Sequence, residues 1–518
     1  MNTAGIKSSS GTMKLGDPTV LVLVLVGFVL LAALIVLGGF VSAVAILLLP
    51  LGLVYMNRLF VNPSYGITSV LVLGFTAIGL TRYIPGVPLG LSIDITLVLT
   101  YIALFFKHFN EKIDWGPAKN DLTLLAFIWF MYSILQFFNP VAESRVAWFY
   151  AMRGMSLYFF LIIPLVFLVF NKMKYLNQML YIWAAFSILA TIRGWMQINI
   201  GLDRWEQHWI DTIGGITHVL WGQLRAFSFM SDAGQFGAAQ AHAGVVGAVM
   251  VLYSKKVWQK VLFFTMAILG AYGMIVSGTR GALVIPVFGM VLYLIYRRNF
   301  IILFIGAIIL AGMYGFFRFT WIGESNQHIR RMRTAIRPLD DASLIVRLET
   351  RRVLRIYLAD KPFGGGIGSA GDWGRRFTPH TFLANIATDS WYVQIWAEQG
   401  IVGLMLHLFI LGYVMIKASY LVMTKIKVPE VFGKMTALAG GILGIMVASW
   451  GNGVLGQLPT GPLIYLSMAF LFMAPKLDKE MLEAQEDKTE NVEKEIKKPS
   501  IFQPRAWSEN TKPLLYKK

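Results

Sequence analysis

Apolar runs of roughly 20 residues recur along this chain of 518 residues, and such a run, wound as a helix, matches the ~30 Å hydrocarbon core of a bilayer. Inside that core each backbone N–H and C=O must find its partner within the protein, so long unbroken apolar runs cross as α-helices. The runs lie near 19–37, 40–56, 66–81, 88–106, 121–138, 154–170, 177–198, 236–253, 259–276, 281–296, 300–317, 391–416, 433–450 and 459–474. The sequence therefore predicts an all-α, polytopic integral membrane protein with about fourteen transmembrane helices. Charged residues make up only 14% of the chain, against ~25% in soluble domains, and that excludes a soluble enzyme. Cysteine is absent, which removes disulfides, thiolate nucleophiles and metal–thiolate sites together.

Charge placement orders the spans. The short connections with Arg58, with Lys107, Lys112 and Lys119, with Lys172 and Lys174, with Lys255, Lys256 and Lys260, with Arg297 and Arg298, and with Lys417, Lys425, Lys427 and Lys434 fall on one side. The bias of Lys and Arg toward the cytoplasmic face assigns that side to the cytoplasm. The expected order is a cytoplasmic N-terminus over 1–18, eleven helices within 19–317, a long helical loop on the opposite face over 318–390, three helices within 391–475 and a cytoplasmic tail over 476–518. The run near 19–37 is too deep and too long for a cleaved signal and is expected to stay. The mixed-charge tail reads as a frayed helix or a tether. A second long connection spans 199–235, and long loops with sequence character are where function concentrates.

No phosphate loop and no HExxH occurs, and the Asp340–Asp341 pair reads as the acidic first turn of a helix, so neither metal nor cofactor is expected. The formal charge of +18 suits membrane lipids and phosphate-bearing substrates, with no nucleic acid among the expected partners. In LIVRLETRRVLRIYLADKP, Arg347, Arg351 and Arg355 recur every four residues beside Leu344, Leu348 and Leu358, the pattern of an amphipathic helix. Two readings compete: an interfacial helix whose arginines meet lipid phosphates, and a clamp whose forked guanidinium groups grip a pyrophosphate. PFGGGIGSAG follows, with Gly366 and Gly368 able to bring backbone amides to an anion, or simply to make a tight turn. Arg280 in SGTRGA stands between two apolar runs, where a charge is functional by default unless it snorkels to the interface. Arg225 in LRAFSFMSDAGQFGAA lies near Asp232, with a plain ion pair as the alternative.

RAFSFMSDAGQFG, SGTRGA, the stretch from Ser343 through Arg347 to PFGGGIG, and DSWYVQIWAEQGIVGL together resemble the O-antigen ligase and polymerase superfamily, over roughly residues 220–410. The resemblance implies a multi-spanning glycosyltransferase of the bacterial inner membrane, working at the periplasmic face. It would move a glycan from an undecaprenyl-diphosphate carrier to a hydroxyl of a glycolipid of the lipid A-core type or another glycan acceptor, with inversion and without metal. It implies Arg280, Arg347 and Asp389 as catalytic residues, and Arg225, Arg351, Arg355, Gly366, Gly368 and His380 as substrate-binding ones. This chain departs from the ligase pattern where the ligases usually present a His–Asn pair, since Asp389–Ser390 stand there. The base is then expected to be the Asp389 carboxylate, with His380 as the substitute and an N-cap role for Asp389 as the competing reading. Within the same superfamily a polysaccharide polymerase is the alternative. A flippase or transporter would set its charges within spans and mirror them between halves, and these arginines cluster at one face.

Overall fold

A computed structural model describes residues 49–84, 86–220, 222–322 and 342–496, with isolated positions before residue 49. The protein is mostly helical, and the strands among the described residues are the two-residue pair Val219–Leu220 and Gln223–Leu224. Among the described residues, eight helices are long and apolar enough to cross a membrane, or nine if the bent pair Thr460–Phe472 and Ala474–Asp487 counts as one span. Each expected run from 66–81 onward falls on a helix. Ser64–Leu80 and Arg280–Tyr296 are shorter than a full crossing, so the fourteen expected are matched in position more closely than in number. The run 19–37 and the first half of the run 40–56 lie largely outside the described residues, as do Asp340, Asp341 and the tail beyond 496.

The chain divides into two compact units, 1–69 with 95–113, and 70–94 with 114–518. In the first, Phe60 and Phe106 meet ring to ring at 5.8 Å. All that follows belongs to the second.

Its centre is the helix Ala233–Tyr253, which packs against Met173–Asn199, Val257–Val276, Val284–Tyr296 and Pro429–Ala448. Small residues allow this. A Cβ at Gly270 would stand 2.7 Å from the carbonyl oxygen of Gln240, so only glycine lets the two backbones approach so closely. Polar contacts join the same helices: the Gln240 carbonyl Oε1 accepts from the hydroxyls of Ser187 at 2.9 Å and Thr191 at 3.1 Å. In lipid such bonds do part of the work that the hydrophobic effect does in water.

Three departures from plain helix shape one end of this bundle. The span Arg145–Val169 loosens into a π-turn over Arg153–Leu157. The helix Trp391–Lys425 carries a non-helical residue, Gly400, at φ 68° and ψ −170°. The expected long loop holds the helices Ala342–Tyr357, Gly371–Phe377 and Phe382–Asn385. At the opposite end of the chain, the buried Asp478 carboxylate accepts from the amides of Lys427 at 3.0 Å and Val428 at 2.8 Å. The first turns of the tail are thereby docked helix, and the helix runs on to Ile496.

Candidate active site

A cavity of about 900 Å³ opens among these irregular segments. The π-turn region lines it with Tyr150, Arg153 and Tyr158, the loop helices with Arg347, Arg375 and Arg376, and the entry to Trp391–Lys425 with Asp389 and Gln394. Ser231, Asp232, Asn452 and Gln457 complete it.

Arg347 is aimed by packing on its own helix. Leu354 and Leu358 sink among Leu383, Val393 and Ala397, which fixes the rotation of Ala342–Tyr357. Residues four apart drift by about 40° around a helix, so the three expected arginines part company. Arg347 reaches the cavity. Arg351 lies 4.1 Å over the Trp450 ring and donates to the Trp450 carbonyl at 3.2 Å. Burial there, together with the Arg347 charge, pulls its pKa below the ordinary arginine value. Arg355 is exposed. The apolar face that meets the protein is Leu354–Leu358, while Leu348, expected on that face, is half exposed.

Asp389 faces Arg347, its carboxylate 3.7 Å from Nε. The Arg347 Nε is buried and makes no hydrogen bond among the described residues. The helix that begins at Trp391 is capped by Ser390, whose hydroxyl accepts from the Val393 amide at 3.4 Å. The cap that the competing reading gives to Asp389 thus belongs to its neighbour, because the helix starts at Trp391, where the apolar run begins, and leaves Ser390 in the capping position.

The glycine run turns inward. Gly365 donates to the Ala397 carbonyl at 2.9 Å and Gly366 to the Glu398 carbonyl at 2.8 Å. Gly364 and Gly400 both have positive φ and meet backbone to backbone, with no room for a Cβ on either. PFGGGIG and AEQG are therefore two halves of one joint. Gly366 packs on Ala142, and Gly368 on Ala147. Neither lies on the large cavity. The Glu398 carboxylate, fully buried, accepts from the Ala370 amide at 3.4 Å and so anchors the start of Gly371–Phe377, the helix that presents Arg375 and Arg376.

A second joint involves Arg225. It donates to the carbonyls of Ser277 and Thr217 and to the Thr279 hydroxyl, each at 2.9 Å. The Thr279 hydroxyl in turn donates to the Ala233 carbonyl at 2.8 Å. Arg225 thereby ties RAFSFMSDAG to SGTRGA and stands off the cavity wall. Arg280 begins the 3₁₀ turn Arg280–Leu283. It precedes Gly281, whose α-carbon meets the side chain of cavity-lining Asn452. His380 is exposed and pairs with Glu143 at 2.7 Å, away from the cavity.

Three features escaped the sequence reading. Arg153 sits 3.2 Å from Asp94 and 3.4 Å from the Tyr158 hydroxyl. An Arg–Gly pair opening an apolar run was its signal. Arg375 and Arg376 line the cavity just past the glycine run. The turn SWGNGVLGQ, residues 449–457, joins the parts: the Trp391 amide donates to the carbonyls of Ser449 and Asn452 at 3.1 and 3.3 Å, and the Ser390 hydroxyl to that of Ser449 at 3.2 Å. Amides set among glycines at the end of a span were the available sign. Among the described residues, no three His, Asp or Glu come together as a metal site.

Residues 265–408 match the family model described as O-antigen ligase. The match takes in SGTRGA, the arginine helix, the glycine run and AEQG, and it supports the O-antigen ligase superfamily. No curated protein matches the chain.

Proposed function

We propose that this membrane protein, similar over part of its length to O-antigen ligases, transfers a glycan from an undecaprenyl-diphosphate carrier to an acceptor hydroxyl at the periplasmic face of the inner membrane. The observation that carries the reading is the facing of Arg347 and Asp389 on one cavity wall. As the glycosidic bond lengthens, charge grows on the bridging phosphate oxygen, and fixed guanidinium groups stabilise that charge more in the transition state than in the ground state. Arg347, on the cavity wall, is the residue to which we assign this task, and Arg280, off that wall on the turn that touches Asn452, is assigned a supporting one. The attacking hydroxyl must lose its proton to a positioned base. An arriving diphosphate competes with Asp389 for Arg347, so donor binding itself releases the carboxylate for that task. Single displacement inverts the anomeric carbon. The arginines supply the positive charge for the leaving diphosphate.

Purified protein in nanodiscs, given an undecaprenyl-diphosphate-linked glycan and a glycolipid acceptor, should release the carrier diphosphate as glycan appears on the acceptor. A single transferred block marks a ligase, and a growing ladder on the carrier marks a polymerase. Intact donor moved across the bilayer without bond cleavage would refute the enzyme reading in favour of transport.

A further inference from the structure

The cavity is chemically two-sided. Its cations, Arg153, Arg347, Arg375 and Arg376, come from the π-turn and the loop helices and outnumber the two carboxylates on that side, Asp372 beside Arg375 and Asp389 beside Arg347. The wall built from 231–235 and 452–457 has no cation and offers a hydroxyl, a carboxylate and carboxamides. A diphosphate only accepts hydrogen bonds, so it gains little from the Gln457 carbonyl oxygen and is repelled by Asp232. Sugar hydroxyls both donate and accept, and such a wall meets both needs.

This wall is preorganised. The Ser231 hydroxyl is 2.9 Å from the Asp232 carboxylate and 3.3 Å from the Gln457 carbonyl oxygen. The other Asp232 oxygen accepts from the Gln235 amide at 2.9 Å, which caps the central helix and fixes the carboxylate. The same short turn also reaches the reacting pair. A Cβ at Gly453 would stand 3.8 Å from both the Asp389 carbonyl oxygen and the Gln457 amide nitrogen. A Cβ at Gly451 would stand 3.8 Å from an Arg347 guanidinium nitrogen. Bare glycines therefore leave open the space between the amide wall and Asp389.

We infer that Ser231, Asp232, Asn452 and Gln457 form the acceptor subsite, that it takes a neutral sugar, and that it presents a hydroxyl of that sugar to Asp389. The inference rests on the donor reading above. All four residues lie outside the stretch that matches the family.

The test uses the full chain in nanodiscs, an undecaprenyl-diphosphate-linked glycan as donor, and octyl galactoside or octyl glucuronide as acceptor probe. Octyl galactoside should be glycosylated in preference to the glucuronide. Gln457→Ala should raise the KM for octyl galactoside about tenfold, the loss expected for one or two hydrogen bonds, with the donor KM unchanged. Asp232→Asn keeps the helix cap, since Asn caps about as well as Asp, and should narrow the preference against the glucuronide. A merely structural role would not move that ratio. Equal use of both probes with no change in Asp232→Asn, or a donor KM that rises in step with the acceptor KM, overturns the subsite. So does a protein that consumes donor with its native acceptor in membrane extract and uses neither probe. A protein that consumes no donor under any condition refutes the donor reading instead.

Discussion

At the scale of single residues, Asp389 and Ser390 divide two jobs that a sequence cannot separate. Ser390 supplies the cap, and Asp389 is left with Arg347 and the cavity. Ser390→Ala should then lower the thermal midpoint in detergent, by an amount equivalent to about 1 kcal/mol, and spare transfer. Asp389→Asn should keep the midpoint and slow transfer by roughly 10²- to 10⁴-fold, the contribution of a positioned base. Transfer at the parental rate in Asp389→Asn would hand the role of base to another group. For Arg347, Lys keeps the charge and loses the fork, so Arg347→Lys should retain part of the activity that Arg347→Ala abolishes. Equal rates in the two variants would mean that the fork contributes nothing. The sequence offers Asp389 and Arg347 because each stands in a pattern with a fixed spacing, and the structure brings the two together on one cavity. Arg153 was not, because its importance comes from a π-turn and from Asp94, which lies 59 positions earlier.

Among elements, the sequence patterns turn out to be paired surfaces. PFGGGIG fits the kink at Gly400, and RAFSFMSDAG is tied to SGTRGA by Arg225. Periodicity finds the helices on either side of these joints. It cannot report that two glycines far apart in sequence share one backbone contact, so the glycine run reads as easily for an anion site as for a hinge seat. Gly400→Ala tests the joint. A backbone at φ 68° and ψ −170°, open essentially to glycine alone, costs an L-residue about 1–3 kcal/mol, and the new methyl would also meet the Pro362 carbonyl. The expected result is a lower thermal midpoint together with reduced transfer, read by a melting curve and the carrier-release assay. An unchanged midpoint would mean that the kink is not held by this contact.

Over the whole molecule, the order of spans was legible because bilayer thickness imposes a length that any apolar run must meet. Their number was less so, since Ser64–Leu80 and Arg280–Tyr296 fall short of a full crossing. Sidedness can be read directly in a chain without cysteine. A single Cys at exposed Glu349 should react with an impermeant reagent in spheroplasts, and one at exposed Lys425 should not. The reverse pattern would invert the topology. Stability should also depend on pH through His218, whose Nε2 accepts from the Ala233 amide at 3.1 Å while Nδ1 faces the Gly214 carbonyl at 2.9 Å. Burial lowers its pKa below the ordinary 6.5. The neutral ring is thus the one that the fold favours, and its contribution is complete above about pH 6.5 and fades as the pH falls toward the lowered folded value. The midpoint of the parental protein should drop on acidification below 6.5, and His218→Asn should flatten that dependence. The Gly400 joint has one more consequence, for heredity rather than chemistry. Residues 362–402 must be inherited as a cassette, because either half grafted alone from a relative would bring a surface cut for a different mate. Chimeras that exchange the whole cassette should accumulate in the membrane, and chimeras broken between Gly368 and Glu398 should be degraded.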